Sequence, residues 1–346
     1  MGMVKLERAR KVGRKFLNPV STTVGGLKIM FSVLPQYLSN KAETEPKTAL
    51  GPFRTDTSIY AREPESGLRV TWFGHSSMLV EIDGVRVLVD PVWDLRAAPV
   101  QWFGPKRFFA PTLGLEELPA IDAVLLSHDH YDHLGAGTVR ELVRLRPELR
   151  WVTSVGVGAE LRGFGVRAER ITELDWTEST VIAGRGGAEA RITSVPARHF
   201  SGRSLLNRFE TLWASFVLAG SAHRVYYGAD SGFWEGYAAI GAAYGPFDLT
   251  MLEIGAFNEL WKDIHLGPDG AVRAFEALSS GGHGGLLMPI HWGLFNLALH
   301  AWREPIERVT ALADAGGVRL FSPGPGEPSE VVAGADVRSN WWRSAG

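Results

Sequence analysis

Six consecutive residues, His128-Asp129-His130-Tyr131-Asp132-His133, follow one residue, Ser127, after the largely apolar run Ile121 to Leu126. In the spacing His-x-His-x-Asp-His, four side chains on one short loop offer imidazole nitrogen or carboxylate oxygen. Borderline divalent cations such as zinc take three or four such donors at about 2.0–2.2 Å. Four donors exceed what one open catalytic ion requires if further donors arrive from elsewhere, so the cluster points to two metals side by side. The alternative is a polar, His-rich surface turn. Such a turn has no reason to follow a buried strand and to meet spaced partners downstream.

Those partners are sought at strand ends, because in α/β proteins reactive groups lie on the loops at the carboxyl edge of the sheet. Arg191-Ile192-Thr193-Ser194-Val195-Pro196 leads to His199, Arg224-Val225-Tyr226-Tyr227-Gly228-Ala229 ends at Asp230, and Leu286-Leu287-Met288-Pro289-Ile290 ends at His291. Each alone is ordinarily just a polar group closing a strand; three placed alike carry the argument. The expected partition is His128, His130 and His199 on one metal, Asp132, His133 and His291 on the other, and Asp230 bridging both. Two cations about 3.5–4 Å apart share a water and lower its pKa from 15.7 to near 7. They also neutralise an anionic phosphodiester and steady its departing alkoxide. Asp132 and Asp230, acceptors only when ionised, are the expected catalytic carboxylates, Asp132 orienting the nucleophile as well as binding metal. Ligand imidazoles need an acceptor for their second nitrogen, and Asp90 and Glu253 are candidates, with turn or capping roles the alternative.

The elements that must hold these groups begin with Leu68 to Phe73, Met78 to Ile82 and Val85 to Val89; Asp83-Gly84 between the last two is a hairpin signal. Helical spacing occurs over Ala136 to Leu145 and Asp269 to Leu278. Pro99 to Pro111 is aromatic and rich in Pro and Gly, as suits a loop overhanging a site. Periodicity supports an α/β chain and no more. Asn40 to Glu65 is polar with little periodicity, an extended connection. The organisation expected is a basic arm and strap over 1–65, a catalytic domain over 66–325 and a tail over 326–346.

The 346 residues are 45% hydrophobic, enough for a large core, and the net charge of −2 supplies no basic field for a nucleic-acid backbone. There is no cysteine, hence no disulfide. Met1 to Lys15 carries Lys5, Arg8, Arg10, Lys11, Arg14 and Lys15 against Glu7. Val24 to Leu38 is broken by Gly25, Gly26, Lys28 and Pro35, too short for the roughly 20 apolar residues of a spanning helix and unlike a signal peptide. A cytoplasmic protein is expected. Its arm is either a solvated strap or a peripheral contact with anionic headgroups at the inner membrane face, worth about 1 kcal/mol per basic residue.

The metal loop, the strand-end His and Asp, and Ile290-His291-Trp292-Gly293 together resemble the metallo-β-lactamase superfamily. Val70-Thr71-Trp72-Phe73-Gly74-His75-Ser76-Ser77, Leu88-Val89-Asp90-Pro91-Val92, Phe103-Gly104-Pro105-Lys106-Arg107-Phe108, Leu212-Trp213-Ala214-Ser215 and Gly245-Pro246-Phe247-Asp248-Leu249 narrow the likeness. They resemble N-acyl-phosphatidylethanolamine-hydrolysing phospholipase D and its bacterial relatives, from about residue 15, at Lys15-Phe16-Leu17-Asn18-Pro19, to about residue 320. The resemblance implies a four-layer αββα sandwich with the dinuclear site at the strand-end edge, and substrate contacts at Tyr131 and His265. Each has a bland alternative: Tyr131 packing under the metal loop, His265 facing solvent at a helix start. The resemblance carries His75 without giving it a role. The absence of Cys excludes the lactam-hydrolysing branch that uses a Cys ligand. Gly135 stands where the phospholipase branch has an acidic residue, which puts support near the metals and substrate preference in question.

The expectation is a dinuclear zinc hydrolase, with Mn2+ or Fe as alternative metals. It would cleave small-molecule or phospholipid phosphodiesters, N-acyl-phosphatidylethanolamine-like lipids foremost, by a hydroxide shared between the ions, without a nucleic-acid partner. A lactonase or other carboxylic-ester hydrolase using the same site is the second reading, and a metal-dependent binding protein without catalysis the third. His223, His283 and His300 are expected to be exposed; Trp102, Trp234, Trp261 and Trp292 either line an acyl-chain groove or, as is commoner, pack in the core.

Overall fold

Strand residues alternate between two apolar clusters, which is why the first sheet is covered on both faces. Met78, Val80, Val87, Val89 and Leu125 belong to the cluster shared with a second sheet; Leu79, Leu88, Val124 and Leu126 pack instead with Val139, Leu142 and Leu161 of two helices. With a side-chain period of two, one sequence serves both interfaces.

The protein is described from a computed structural model covering residues 4–25, 35, 39–204, 206–279 and 285–344. The first sheet holds β1 (Leu68–Gly74), β2 (Ser77–Ile82), β3 (Val85–Val89), β4 (Ala123–Leu126), β5 (Arg150–Ser154) and β6 (Ile171–Leu174). The second holds β7 (Ser179–Ala183), β8 (Glu189–Val195), β9 (Ser215–Ala219), β10 (Arg224–Tyr227), β11 (Leu249–Glu253) and β12 (Leu286–Ile290). A late strand, β13 (Pro328–Glu330), pairs antiparallel with β1, so the orders are β13-β1-β2-β3-β4-β5-β6 and β12-β11-β10-β9-β8-β7. The helices α1 (Ala136–Leu145) and α2 (Gly158–Gly163) cover the first sheet. On the other side lie α3 (Gly236–Tyr244), α4 (Gly267–Leu278) and α5 (Glu304–Gly316). This is the αββα sandwich expected.

Strand direction fixes where the chemistry falls. β3, β4 and β5 run parallel, as do β10, β11 and β12. Two antiparallel steps give β1 the direction of β3, and β8 that of β10. The residues following β1, β3, β4, β8, β10, β11 and β12 therefore emerge at one edge. The two sheets are clasped there by backbone bonds: His75 N–H donates to Trp292 O (3.2 Å) and His291 N–H to His75 O (3.0 Å).

The turn at Asp83 (φ 47°) and Gly84 (φ 87°) has both central residues left-handed, as a two-residue hairpin requires. α1 spans the residues expected; α4 starts two residues earlier than expected because Pro268 is accommodated in its first turn. Pro289 is tolerated because β12 is the edge strand of its sheet. Of the span 326–346, read from sequence as a tail, the described residues 326–344 are part of the fold. They supply β13, and Trp341 among them stacks on Trp292, which stacks on Trp72 (centroids 5.4 and 5.3 Å apart). Burying Trp341 and Trp342 outweighs the polar composition around them. Among the described residues no helix is long and apolar enough to cross a membrane.

Candidate metal centre

His75, Asp90, Ala229 and His291 lie at or just past strand ends with φ of 55°, 37°, 48° and 62°. A non-glycine residue in the left-handed region costs of order 1–3 kcal/mol, and such strain gathers where side chains must be aimed. Here the kinks turn the chain from each strand across the common edge.

Three overlapping groups of donors result, each with its ligand atoms within 4.8 Å of one another; two contain the expected ligands, and the third joins Asp230 and His291 to Glu253 and His265. In the first, His130 Nδ1 lies 2.8 Å from His128 Nε2 and 3.3 Å from His199 Nε2. Asp230 Oδ2 is 3.8 Å from His128 Nε2 and 3.6 Å from His199 Nε2. In the second, Asp132 Oδ2 lies 3.2 Å from His291 Nε2, 3.6 Å from His133 Nε2 and 2.9 Å from His75 Nε2. Asp230 reaches this group too: Oδ1 is 3.2 Å from His133 Nε2 and Oδ2 is 3.1 Å from His291 Nε2. Ligand atoms around one tetrahedral ion at 2.0–2.1 Å are roughly 3.3 Å apart, so these separations fit shared ions. His133 Nε2 and Asp230 Oδ1 are buried with no hydrogen-bond partner among the described residues, although they face each other. Buried polar atoms left in that state call for a further ligand between them.

The opposite side is held on His128, His133 and His199, whereas His291 Nδ1 and His75 Nδ1 have no hydrogen-bond partner among the described residues. Asp90 accepts from His133 Nδ1–H (2.6 Å), from Ser127 N–H (2.8 Å) and Oγ–H (2.5 Å), and from the Tyr227 hydroxyl. Ser127 Oγ also meets His128 Nδ1 at 2.9 Å. His199 Nδ1–H donates to Ile264 O at 2.8 Å, fixing Nε2 as the site-facing nitrogen. Glu253 accepts from His265 Nδ1–H (2.6 Å), Ser231 N–H (2.8 Å) and Leu266 N–H (3.1 Å). Of the two acceptors singled out from sequence, Asp90 meets an expected ligand imidazole, His133, whereas Glu253 meets His265 and stays 3.8 Å from His291 Nδ1. Other supports were not anticipated. Asp129, inside the motif, turns away and accepts from Gly202 N–H (2.7 Å) and Thr211 Oγ1–H (2.8 Å), tying the metal loop to the segment beyond His199. Asn18 bonds both backbone groups of His199, at 2.9 and 2.7 Å. Asp129 was signalled by its place in the motif and Asn18 by Lys15-Phe16-Leu17-Asn18-Pro19, but neither partner was legible.

Electrostatically the two groups differ. Burial pushes the pKa of His128, His130 and His199 down. Burial also works against charge on His291, yet Asp230, Asp132 and Glu253 outweigh it and hold that imidazole up at about 10. His133 is raised in the same way against burial, by Asp230 and Asp132. Burial alone would raise both carboxyls; His133 and His291 instead hold Asp132 and Asp230 well below the usual range. His75 is lowered to about 3, by burial and then by His291.

Of the remaining residues, His265 sits beside both groups, its ring 5.1 Å from that of His199 and 5.4 Å from that of His291. It also lines a cavity of about 620 Å³ with Phe257, Leu266, Leu299 and His300. Tyr131 donates its hydroxyl to Arg203 O (2.8 Å) and lies under that guanidinium, 4.0 Å away. Gly135 leaves room for Asp94: a Cβ there would be 2.2 Å from Asp94 Oδ2. His223 and His300 are not the exposed groups expected; His223 bonds Asp83 (2.7 Å), and His300 stacks on Phe257. His283 lies outside the described residues. Trp234 and Trp292 are core, whereas Trp102 is 80% exposed.

Residues 85–292 match the family described as Beta-lactamase superfamily domain. The chain belongs to the metallo-β-lactamase superfamily, and its relatives mark it as a metal-dependent hydrolase. It is 34% identical over 88% of its length to N-acyl-phosphatidylethanolamine-hydrolysing phospholipase D 1 of Caenorhabditis elegans, spanning 87% of that protein. An uncharacterised protein of Mycobacterium tuberculosis is 47% identical over 83% of this chain and 74% of its own length. Among solved structures, an isothiocyanate hydrolase from Delia radicum gut bacteria superposes with a TM-score of 0.59 at 19% identity. It covers 77% of this chain and 100% of the other, and at that identity the likeness concerns fold alone.

Proposed function

We propose that the protein is a dinuclear zinc phosphodiesterase. One ion would be held by His128, His130, His199 and Asp230, and the second by Asp132, His133, His291 and the same Asp230. The observation that carries the reading is the position of Asp230, whose oxygens reach imidazoles of both groups at 3.1–3.8 Å. When bound, two cations would supply an acidified water at neutral pH and neutralise the charge of an anionic ester. The side chains do the rest. Asp132, receiving the His75 Nε2–H, would orient the nucleophile as well as hold the ion. With His265 Nδ1–H given to Glu253, its Nε2 is left as an acceptor for a substrate N–H or O–H and the cavity beside it for the substituent. Tyr131, its phenol engaged by Arg203, is assigned to packing.

The leading substrate class is N-acyl-phosphatidylethanolamine-like phospholipid, as the name of the C. elegans relative suggests. The basic arm is a weaker candidate for lipid contact than its composition suggested, because Arg8 pairs with Glu178 and Arg14 with Glu210. The test is parallel turnover of a lipid phosphodiester, a chromogenic phosphodiester and a lactone, with metal content measured on the same sample. Two ions per chain and preference for the phosphodiesters are expected. Comparable or faster lactone hydrolysis would transfer the assignment to the carboxylic-ester reading, and a metal-loaded protein that binds lipid but turns over nothing would transfer it to a binding protein.

A further inference from the structure

The loop leaving the site end of β3 carries two neighbouring aromatic residues in water. Trp102 is 80% and Phe103 71% exposed, their ring centroids 6.1 Å apart. Two large apolar side chains side by side at a tip are not the scattered exposure common on surfaces. The backbone beneath them is fixed. Ala97 N–H donates to Pro105 O (3.0 Å) and Arg107 N–H to Leu95 O (3.1 Å), while Arg96 N–H and O bond the Gln101 amide at 3.0 and 3.1 Å. The Arg96 guanidinium donates to Gly104 O, and Gly104 (φ 107°) lies so near Ala98 that a Cβ would be 2.6 Å from its neighbour's.

The base of this finger rests on the metal centre's rim. Phe108 N–H donates to Leu294 O at 2.8 Å, three residues past His291, and Phe109 packs on Gly74, directly before His75. From Leu95 to Leu115 the chain has no acidic residue, and Lys106 is exposed with no carboxylate partner among the described residues. An aromatic tip above an exposed lysine, on a loop without acidic residues of its own, matches a bilayer surface, apolar just beneath anionic phosphates.

We infer that the Trp102–Phe103 finger docks the enzyme on an anionic phospholipid surface, with the metal centre facing the headgroups. The inference rests on the lipid reading above and moves the membrane contact from the arm, whose cations are partly paired, to the lip of the site. It also fixes orientation, which a solvated arm would not.

Binding to vesicles of phosphatidylcholine, with and without phosphatidylserine, is measured by co-sedimentation for the native protein, Trp102→Ala/Phe103→Ala and Lys106→Glu. Turnover of N-acyl-phosphatidylethanolamine in vesicles and of soluble bis(4-nitrophenyl) phosphate is measured alongside. The double variant should lose vesicle partitioning and vesicle turnover by at least about tenfold, equivalent to about 1.4 kcal/mol, with soluble-ester turnover unchanged. Lys106→Glu should lose binding on phosphatidylserine-containing vesicles only. Unaltered partitioning of the double variant overturns the inference, as does a native protein that ignores vesicles, or a tip whose removal converts a dimer to a monomer. If no phosphodiester is cleaved but partitioning still needs the tip, the docking surface stands and the phosphodiesterase reading falls.

Discussion

The two halves of the centre hold imidazoles in opposite ways. Around His128, His130 and His199 burial disfavours charge, and the second nitrogens of His128 and His199 meet uncharged partners, Ser127 Oγ and Ile264 O. Around His133 and His291, carboxylates of Asp90, Asp132, Asp230 and Glu253 crowd within 2.6–3.8 Å and keep the rings protonated. The first half is a set of neutral donors already in the state a cation requires. The second is a buried ion-pair cluster that must surrender protons before it can ligate. The difference teaches that two sites sharing one carboxylate need not load alike: the second ion should bind more weakly and with more dependence on pH.

The largest effect is expected where the comparison collapses. Asp230→Asn removes the charge common to both halves, so phosphodiester turnover should fall by about 10²–10³-fold or more, the scale of losing one group that stabilises the transition state. Metal content should drop well below two per chain. Retention of both ions, by elemental analysis, would show that Asp230 joins neither half.

Asp90→Asn acts directly on one half and reaches the other only through Ser127 Oγ, which also meets His128 Nδ1. It leaves Ser127 and Tyr227 a partner but gives the His133 Nδ1–H a poorer acceptor, and changes to such partners cost 10–100-fold in metal affinity. Titration with a chelator should strip one ion early and leave the other as in the native protein. Equal weakening of both would show that the halves are supported in common.

A change of pH sharpens the same contrast. His291, raised to about 10, and His133, also raised, carry protons at neutral pH that a cation must displace. Affinity for the weaker ion should therefore rise with pH, about tenfold per unit for each proton released, while the tighter ion, on imidazoles whose values are lowered, shows little slope above pH 7. In the metal-free protein the signs oppose. Stability from protonated His133 and His291 is present below the ordinary histidine value and lost as pH rises through their raised ones. That from Asp132 and Asp230 is present above the ordinary carboxylate value and lost on acidification. Calorimetry in buffers of different ionisation enthalpy reads the protons released; none released by the weaker ion would remove the distinction.

The donors of both halves were legible in sequence. A ligand loop after a strand, and a His or Asp after each later strand, follow from local pattern and from the direction strands must share. Their supports were less legible: Asp90 and Glu253 stood out as acceptors, but not which imidazole each meets, because supports join residues remote in sequence through side chains whose facing no pattern states. His75 meets Asp132 across 57 positions and Asp90 meets His133 across 43. Asn18 reaches His199 across 181. The β13 edge strand was missed for a related reason: Pro328-Ser329-Glu330 has no strand propensity of its own and is ordered by pairing with Thr71, Val70 and Arg69.

Gly135 offers the smallest effect and the finest division between the metal loop and the helix behind it. Its absent side chain is filled by Asp94, which accepts from Gly137 N–H (3.0 Å), Thr138 N–H (2.9 Å) and Thr138 Oγ1–H (2.5 Å), capping α1 from outside the helix. With φ −85° and ψ 121°, residue 135 can take any L side chain without backbone strain, so the conflict is steric and electrostatic alone. Gly135→Asp would force Asp94 off the helix start and set a second negative charge beside it. The expected cost is that of a lost cap, about 0.5–2 kcal/mol, offset in part if the new carboxylate takes over the cap. Thermal melting should record it, while metal content and the pH slope of the weaker ion stay as they were. Loss of an ion in this variant would mean that Gly135 governs the centre itself, and that the helix behind the loop and the ligands on it cannot be treated as separate regions.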